Sequence, residues 1–402
     1  MSSVLRIQKR YIVTKVLATF ISLVFAFFYS RNLGIVNRSI LIYAFTVSSL
    51  TWIVLTSGST LTLRKLKPEK ESRSFESFIS LIFIETVVGL LILTVALVVF
   101  SNFKTVIPYR LMLLIYVYFL LSGFALIMVE ILITYLQYLF SGYIELIAVG
   151  IQILLFFLIL KPFDFSTAAK LLLSFNISYL IICVWMFRVF VSFDKVKMRF
   201  ASPKLFWRST KGSHLIGVSL GVVDRLDRFI IAFYFPTGTL ARYSAMSSLI
   251  SYFRFVPEFF SRIMISGYSL PYVVLRKHKF IVIILFTTAI GAIIFSSRLF
   301  ILNFLGYNWL LPIGVFVAFG IQEILRGAYQ ISLNYNSKLE LSLSTRVIPI
   351  ALLSLAAIFS SLTVRPFGVI GIPIAFSAAF LAAIFLTYLW RNKAKGLRQI
   401  DE

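Results

Sequence analysis

The 402-residue sequence contains one cysteine, Cys183, and two histidines, His214 and His278. A single thiol excludes an intramolecular disulfide framework. Two histidines are too few for a histidine-built metal cluster, so no metal or other cofactor is expected. No GxxxxGK[ST] loop occurs, which removes the phosphate cradle that a nucleotide-powered pump needs. Acidic residues are scarce, 15 against 39 lysines and arginines. Long polar segments are lacking as well. The outer loops reach about a dozen residues, too few for a folded domain outside the membrane. Any chemistry must then take place at membrane depth, and the chain is expected not to be an enzyme. The first apolar run lacks a small-residue cleavage site in the right place, so it reads as a retained helix.

What the chain does have is apolar length. It is 60% hydrophobic with a mean hydropathy of +0.95, whereas a soluble domain is about half apolar. Runs of about 20 residues, enough to cross a bilayer, recur at 11–30, 40–63, 75–101, 111–136, 142–160, 165–190, 213–233, 241–266, 280–296, 310–333, 341–362 and 368–390. The expected fold class is all-α: a polytopic membrane protein with twelve transmembrane helices. The longest polar break, 194–212, carries Lys195, Lys197, Arg199, Lys204, Arg208 and Lys211. It divides the chain into an N-terminal six-helix bundle (1–193), a basic cytoplasmic linker and a C-terminal six-helix bundle (213–402). Two bundles of this kind are the layout of secondary transporters that bind substrate near the midplane.

A formal net charge of +24 invites a nucleic-acid partner, but the basic residues sort by membrane side. With both termini inside, the inner loops hold about three times as many lysines and arginines as the outer ones, which is the positive-inside pattern. Nucleic acid is therefore excluded as a partner, the termini are placed in the cytoplasm, and the anionic inner leaflet becomes the favoured lipid surface.

The run 213–233 carries four charges near its middle: Asp224, Arg225, Asp227 and Arg228. One charge at that depth costs roughly 2.5–3.5 kcal/mol on insertion scales, and such residues usually face a bundle interior or a substrate route. Asp224 and Arg228 stand one helical turn apart on one face, about 6 Å along the axis. The bland alternative is an ion pair that locks this helix to its neighbours. In 241–266, Arg254, Glu258 and Arg262 form a stripe at i, i+4 and i+8, with Pro257 inside it. They suit an anionic headgroup; snorkelling to the interface is the alternative for Arg262. Glu323 and Arg326 lie three apart in 310–333, either as part of the same route or as a salt bridge within the helix. Glu85 and Glu130 are lone acids in apolar helices. Each is a candidate for the group that takes up a coupling ion, H⁺ or Na⁺, or else a core carboxyl making one hydrogen bond. Tyr243 and Tyr252 are weighed as sugar-stacking rings against ordinary packing.

Three segments carry a family resemblance: "FYSRNLG" ending at Gly34, "DRLDRFIIAFYF" starting at Asp224, and "YSAMSSLISYFRFVPEFFSRIM" starting at Tyr243. Together with the six-plus-six layout they resemble the oligosaccharide-lipid (O-antigen, Wzx-type) flippases of the multidrug/oligosaccharidyl-lipid/polysaccharide exporter superfamily. Ile35-Val36-Asn37-Arg38 stands where that family usually has an acidic-glycine turn. The resemblance implies two bundles in a V that alternate between inward and outward openings. It implies transfer of undecaprenyl-diphosphate-linked sugar repeat units to the outer leaflet of a bacterial plasma membrane. It also implies a polysaccharide polymerase and a chain-length regulator as candidate partners, and marks Arg31 as a candidate substrate contact. An ion-coupled multidrug exporter of the same superfamily is the alternative, disfavoured by the deep arginines. A membrane polymerase or glycosyltransferase ranks lower, because no loop offers a cluster of carboxylates.

Overall fold

The computed structural model describes residues 33–63, 72–104, 106–136, 139–159, 166–192, 203–250, 311–338 and 342–400, and scattered residues between 13 and 29. Among the described residues there is no strand. The described residues form ten α-helices: α1 (Ile35–Leu63), α2 (Ser72–Phe103), α3 (Tyr109–Leu136), α4 (Leu139–Leu154), α5 (Thr167–Ser192), α6 (Pro203–Tyr234), α7 (Thr237–Ile250), α8 (Ile313–Lys338), α9 (Ser342–Phe367) and α10 (Gly371–Ile400). A π-helical turn, Leu155–Ile159, continues α4. Among the described residues, five stretches are long and apolar enough to cross a membrane: Ile35–Thr56, Leu81–Phe103, Tyr109–Ile127, Thr167–Trp185 and Val347–Trp390, the last covering both α9 and α10. This is the architecture of a polytopic membrane protein.

The helices reach further than the apolar runs that announce them. The run at 213–233 becomes a helix from Pro203, taking in part of the expected basic linker. Likewise α8 extends to Lys338 and α10 to Ile400. Lysine and arginine are good helix formers, so charge ends the membrane span without ending the helix. Pro203 opens α6 at a position where its missing N–H costs nothing. The second half of the expected 241–266 helix and all of 280–296 lie outside the described residues.

The chain divides into two compact units, Met1–Val218 and Ser219–Glu402. In the first, α1 packs on α2 and α3, and α3 packs on α5. Gly34, at φ +66°, sets the entry to α1, a left-handed conformation that glycine adopts without a Cβ penalty. Two aromatic contacts fix the packing of α1. Tyr43 stacks on Phe100 of α2 at 3.9 Å between ring centroids, and its hydroxyl donates to the Ala96 carbonyl at 3.2 Å. Trp52 stacks on Phe119 of α3, and its indole N–H donates to the Phe119 carbonyl at 2.8 Å. The indole fits because position 123 of α3 is glycine: a Cβ there would overlap the Trp52 ring. Helix α2 shows why periodicity is weak in this chain. Leu93 and Leu97 are wholly buried while Leu91 and Val95 are about two-thirds exposed. Both faces are apolar, one meeting protein and the other lipid.

In the second unit α10 packs on α9 and α8, and α8 also meets α7 and α9. A single 3₁₀ turn, Gly368–Ile370, joins α9 to α10. The Thr363 hydroxyl lies 2.8 Å from the Phe359 carbonyl and 2.7 Å from that of Gly371. Gly371 abuts the Thr363 backbone so closely that any Cβ would clash.

Candidate functional site

Every fourth residue of α6 from Ser219 is buried: Ser219, Val223, Asp227 and Ile231. This is the face a helix presents to its core, and Asp227 sits in it as if it were apolar. A buried carboxylate must find donors, and two are supplied. The Tyr243 hydroxyl of α7 donates to Asp227 Oδ2 at 3.1 Å, and the Arg228 backbone N–H donates to Oδ1 at 2.7 Å. Tyr243 is itself fully buried, its ring tilted against Phe319 of α8 at 4.6 Å between centroids. One tyrosine thus ties a carboxylate on α6 to the packed face of α8. The ring has no free face for a sugar, so Tyr243 is a packing residue that also donates a hydrogen bond.

On α8 the buried face runs Phe319, Glu323, Arg326, Tyr329 and Leu333, with Gln322 beside it, a spacing of three and four that keeps one side turned inward. The Arg326 guanidinium is shared by two carboxylates. Its Nη2 pairs with Asp224 Oδ1 on α6, and its Nη1 lies 3.7 Å from Glu323 Oε1. The side chains of Arg326 and Glu323 are 9% and 5% exposed, whereas that of Asp224 is 36% exposed. Arg225 and Arg228, next to Asp224 on α6, are half-buried. The Nε of Arg228 is buried with no hydrogen-bond partner among the described residues.

The structure therefore brings six of the sequence-derived site residues into one helical unit: Asp224, Arg225, Asp227, Arg228, Glu323 and Arg326. It keeps the Glu323–Arg326 contact that the spacing within α8 suggests and gives Asp224 a partner other than Arg228. Asp224 meets Arg326 on another helix, and Glu323 is the more distant carboxylate on Arg326. Glu85 is in the other unit, on α2, 6% exposed. Arg31, Arg254, Glu258 and Arg262, as well as Tyr252, lie outside the described residues, as does the side chain of Glu130. Among the described residues no group of three histidine, cysteine, aspartate or glutamate side chains is placed to hold a metal. The partnership of Tyr243 with Asp227 had no sequence signal beyond a tyrosine in an apolar run.

Removing the Tyr243 hydroxyl leaves Asp227 a donor short. Tyr243→Phe is expected to lower stability by about 1.5 kcal/mol, the scale of a hydrogen bond to a charged group. A thermal melt of the purified protein in detergent measures it. An unchanged midpoint would mean that the Asp227 carboxylate does not depend on this donor.

No protein-family model matches the sequence, and no curated protein matches it. Solved structures do. The chain is similar to an inward-facing multidrug-resistance MATE family transporter of the MOP superfamily, with a TM-score of 0.68 and 12% identity over 98% of this chain and 96% of that one. A structure named only protein A gives a TM-score of 0.71 at 14% identity, covering 96% of this chain and 94% of that one. The lipid II flippase MurJ, in an inward closed conformation, gives 0.63 at 14% identity, covering 94% of this chain and 86% of that one. At such identities the shared property is the fold. The protein is an all-helical membrane protein with the fold of these transporters.

Proposed function

We propose that the protein is a flippase of the multidrug/oligosaccharidyl-lipid/polysaccharide exporter superfamily. In this reading it turns undecaprenyl-diphosphate-linked O-antigen or other polysaccharide repeat units from the inner to the outer leaflet of a bacterial plasma membrane by alternating access. It binds and moves its substrate and makes no covalent change. The observation that carries the reading is Arg326, a guanidinium kept in the apolar interior of a helical unit, with Arg225 and Arg228 beside its carboxylate partner. Arginine is the side chain suited to diphosphate, since its planar fork engages two oxygens at once. The fold shared with a lipid II flippase is consistent with a lipid-borne cargo. Arg31, Arg254, Glu258 and Arg262 are further candidate contacts, and H⁺ or Na⁺ taken up at Glu85 or Glu130 is the candidate driving ion.

A second reading has its own support. Asp224, Asp227 and Glu323 formally cancel the three arginines, and the likeness to a multidrug transporter suits a small organic cation. Transport by the purified protein in proteoliposomes separates the two. The expected result is transfer of a fluorescent diphosphate-linked oligosaccharide lipid across the bilayer, with no uptake of an organic cation dye under the same ion gradient. Dye uptake without lipid transfer would replace the flippase with the exporter.

A further inference from the structure

Arg326 already has an anion. In the described structure its guanidinium is engaged by Asp224 and approached by Glu323, so a diphosphate cannot simply add to it. The two carboxylates are not equivalent. Glu323 is on the same helix one turn away, nearly inaccessible, and moves with Arg326. Asp224 belongs to a different helix, and its side chain is four times as exposed as that of Arg326. Of the three groups, Asp224 is the one that incoming solute can reach and displace.

We propose that Asp224 is a built-in stand-in for phosphate: it occupies Arg326 while the site is empty and is exchanged for a phosphate or diphosphate oxyanion when ligand arrives. The proposal rests on the anionic-cargo reading above and adds how the arginine is kept and released. A carboxylate and a phosphate present the same kind of oxygen pair to a guanidinium fork. A bare arginine in an apolar interior would be strongly destabilising, so a resident anion keeps the empty protein folded. On exchange the displaced Asp224 does not enter bulk lipid. Arg228 stands one turn on along the same helix, the spacing at which side chains meet, and can take its charge. Glu323 stays with Arg326 throughout and orients the fork. The net charge of the cluster then changes only by that of the ligand.

The exchange has a measurable signature: the stand-in competes with the ligand. Taking its charge away should strengthen binding, the reverse of what removing a ligand contact does. Calorimetric titration of the full-length protein in lipid nanodiscs tests this with two probes, inorganic pyrophosphate and undecaprenyl diphosphate. Relative to the unmodified protein, Asp224→Asn is expected to bind both about tenfold more tightly, the scale of losing one close charge competitor. Asp224→Ser, which removes the charge with a smaller side chain, should do the same. Glu323→Gln should change affinity much less. Equal or weaker binding of both probes by Asp224→Asn and Asp224→Ser would overturn the exchange. Undecaprenyl diphosphate bound equally well by the unmodified protein and both variants would leave the flippase reading standing and remove the stand-in. Tighter pyrophosphate binding by the variants, with no lipid bound by any form, would keep the exchange and assign it to a free phosphate compound.

Discussion

Arg326→Ala is expected to cost about 3–5 kcal/mol of stability and to abolish transport. Truncating one member of a buried ion pair leaves its partner charged and unsolvated. Here two partners are stranded, Glu323 at 5% side-chain exposure and Asp224 at 36%. The double variant Arg326→Ala/Asp224→Ala tells structure from function. With one stranded carboxylate gone, its melting temperature should recover part of the loss, since the two residues share a direct contact and their effects are not additive. Lipid transfer in proteoliposomes should not recover, because the guanidinium is still missing. Restored transfer in the double variant would show that the pair serves folding alone and that no substrate oxygen meets Arg326.

Gly123→Val is expected to destabilise the first unit by about 3 kcal/mol, the upper end of the usual overpacking range. The Cβ alone would overlap the Trp52 indole. That ring has little room to withdraw, being 4% exposed, stacked on Phe119 and hydrogen-bonded to its carbonyl. Small residues let membrane helices approach closely, and α1 and α3 rely on this one. Adding Trp52→Phe should return part of the loss by making space, although it gives up the indole hydrogen bond. The thermal midpoint in detergent reports both variants. A Gly123→Val protein as stable as the unmodified one would mean that α1 and α3 can separate here without cost.

Helix positions were legible because length and apolarity alone mark a membrane span. The runs at 75–101, 111–136 and 165–190 correspond to α2, α3 and α5 within a few residues. Helix ends were less so, and α6 shows why: ten residues of basic helix precede the apolar run, and hydropathy is blind to them. The charged residues of the site were also visible, since a charge inside an apolar run stands out against it. Their partners were only partly so: the Glu323–Arg326 contact within α8 follows from their spacing, but the contact across helices does not. Spacing along a helix suggested Asp224 with Arg228, but the pair that forms joins α6 to α8, and only tertiary packing decides that. Tyr243 was hidden for a related reason. A hydroxyl among 19 tyrosines looks like any other until a carboxylate is placed against it.

The corner between α9 and α10 has a mechanical consequence. With one 3₁₀ turn between them, the Thr363 hydroxyl between two carbonyls, and no space for a side chain at position 371, neither helix can slide along the other without breaking the corner. A push on α10 is passed to α9 through this corner. Elsewhere in the unit, α6 hands over to α7 at the Phe235–Pro236 elbow through two non-helical residues. That elbow lies one turn beyond Ile231 on the helix that carries Asp224 and Asp227, so a change of angle there would turn the helix bearing both carboxylates.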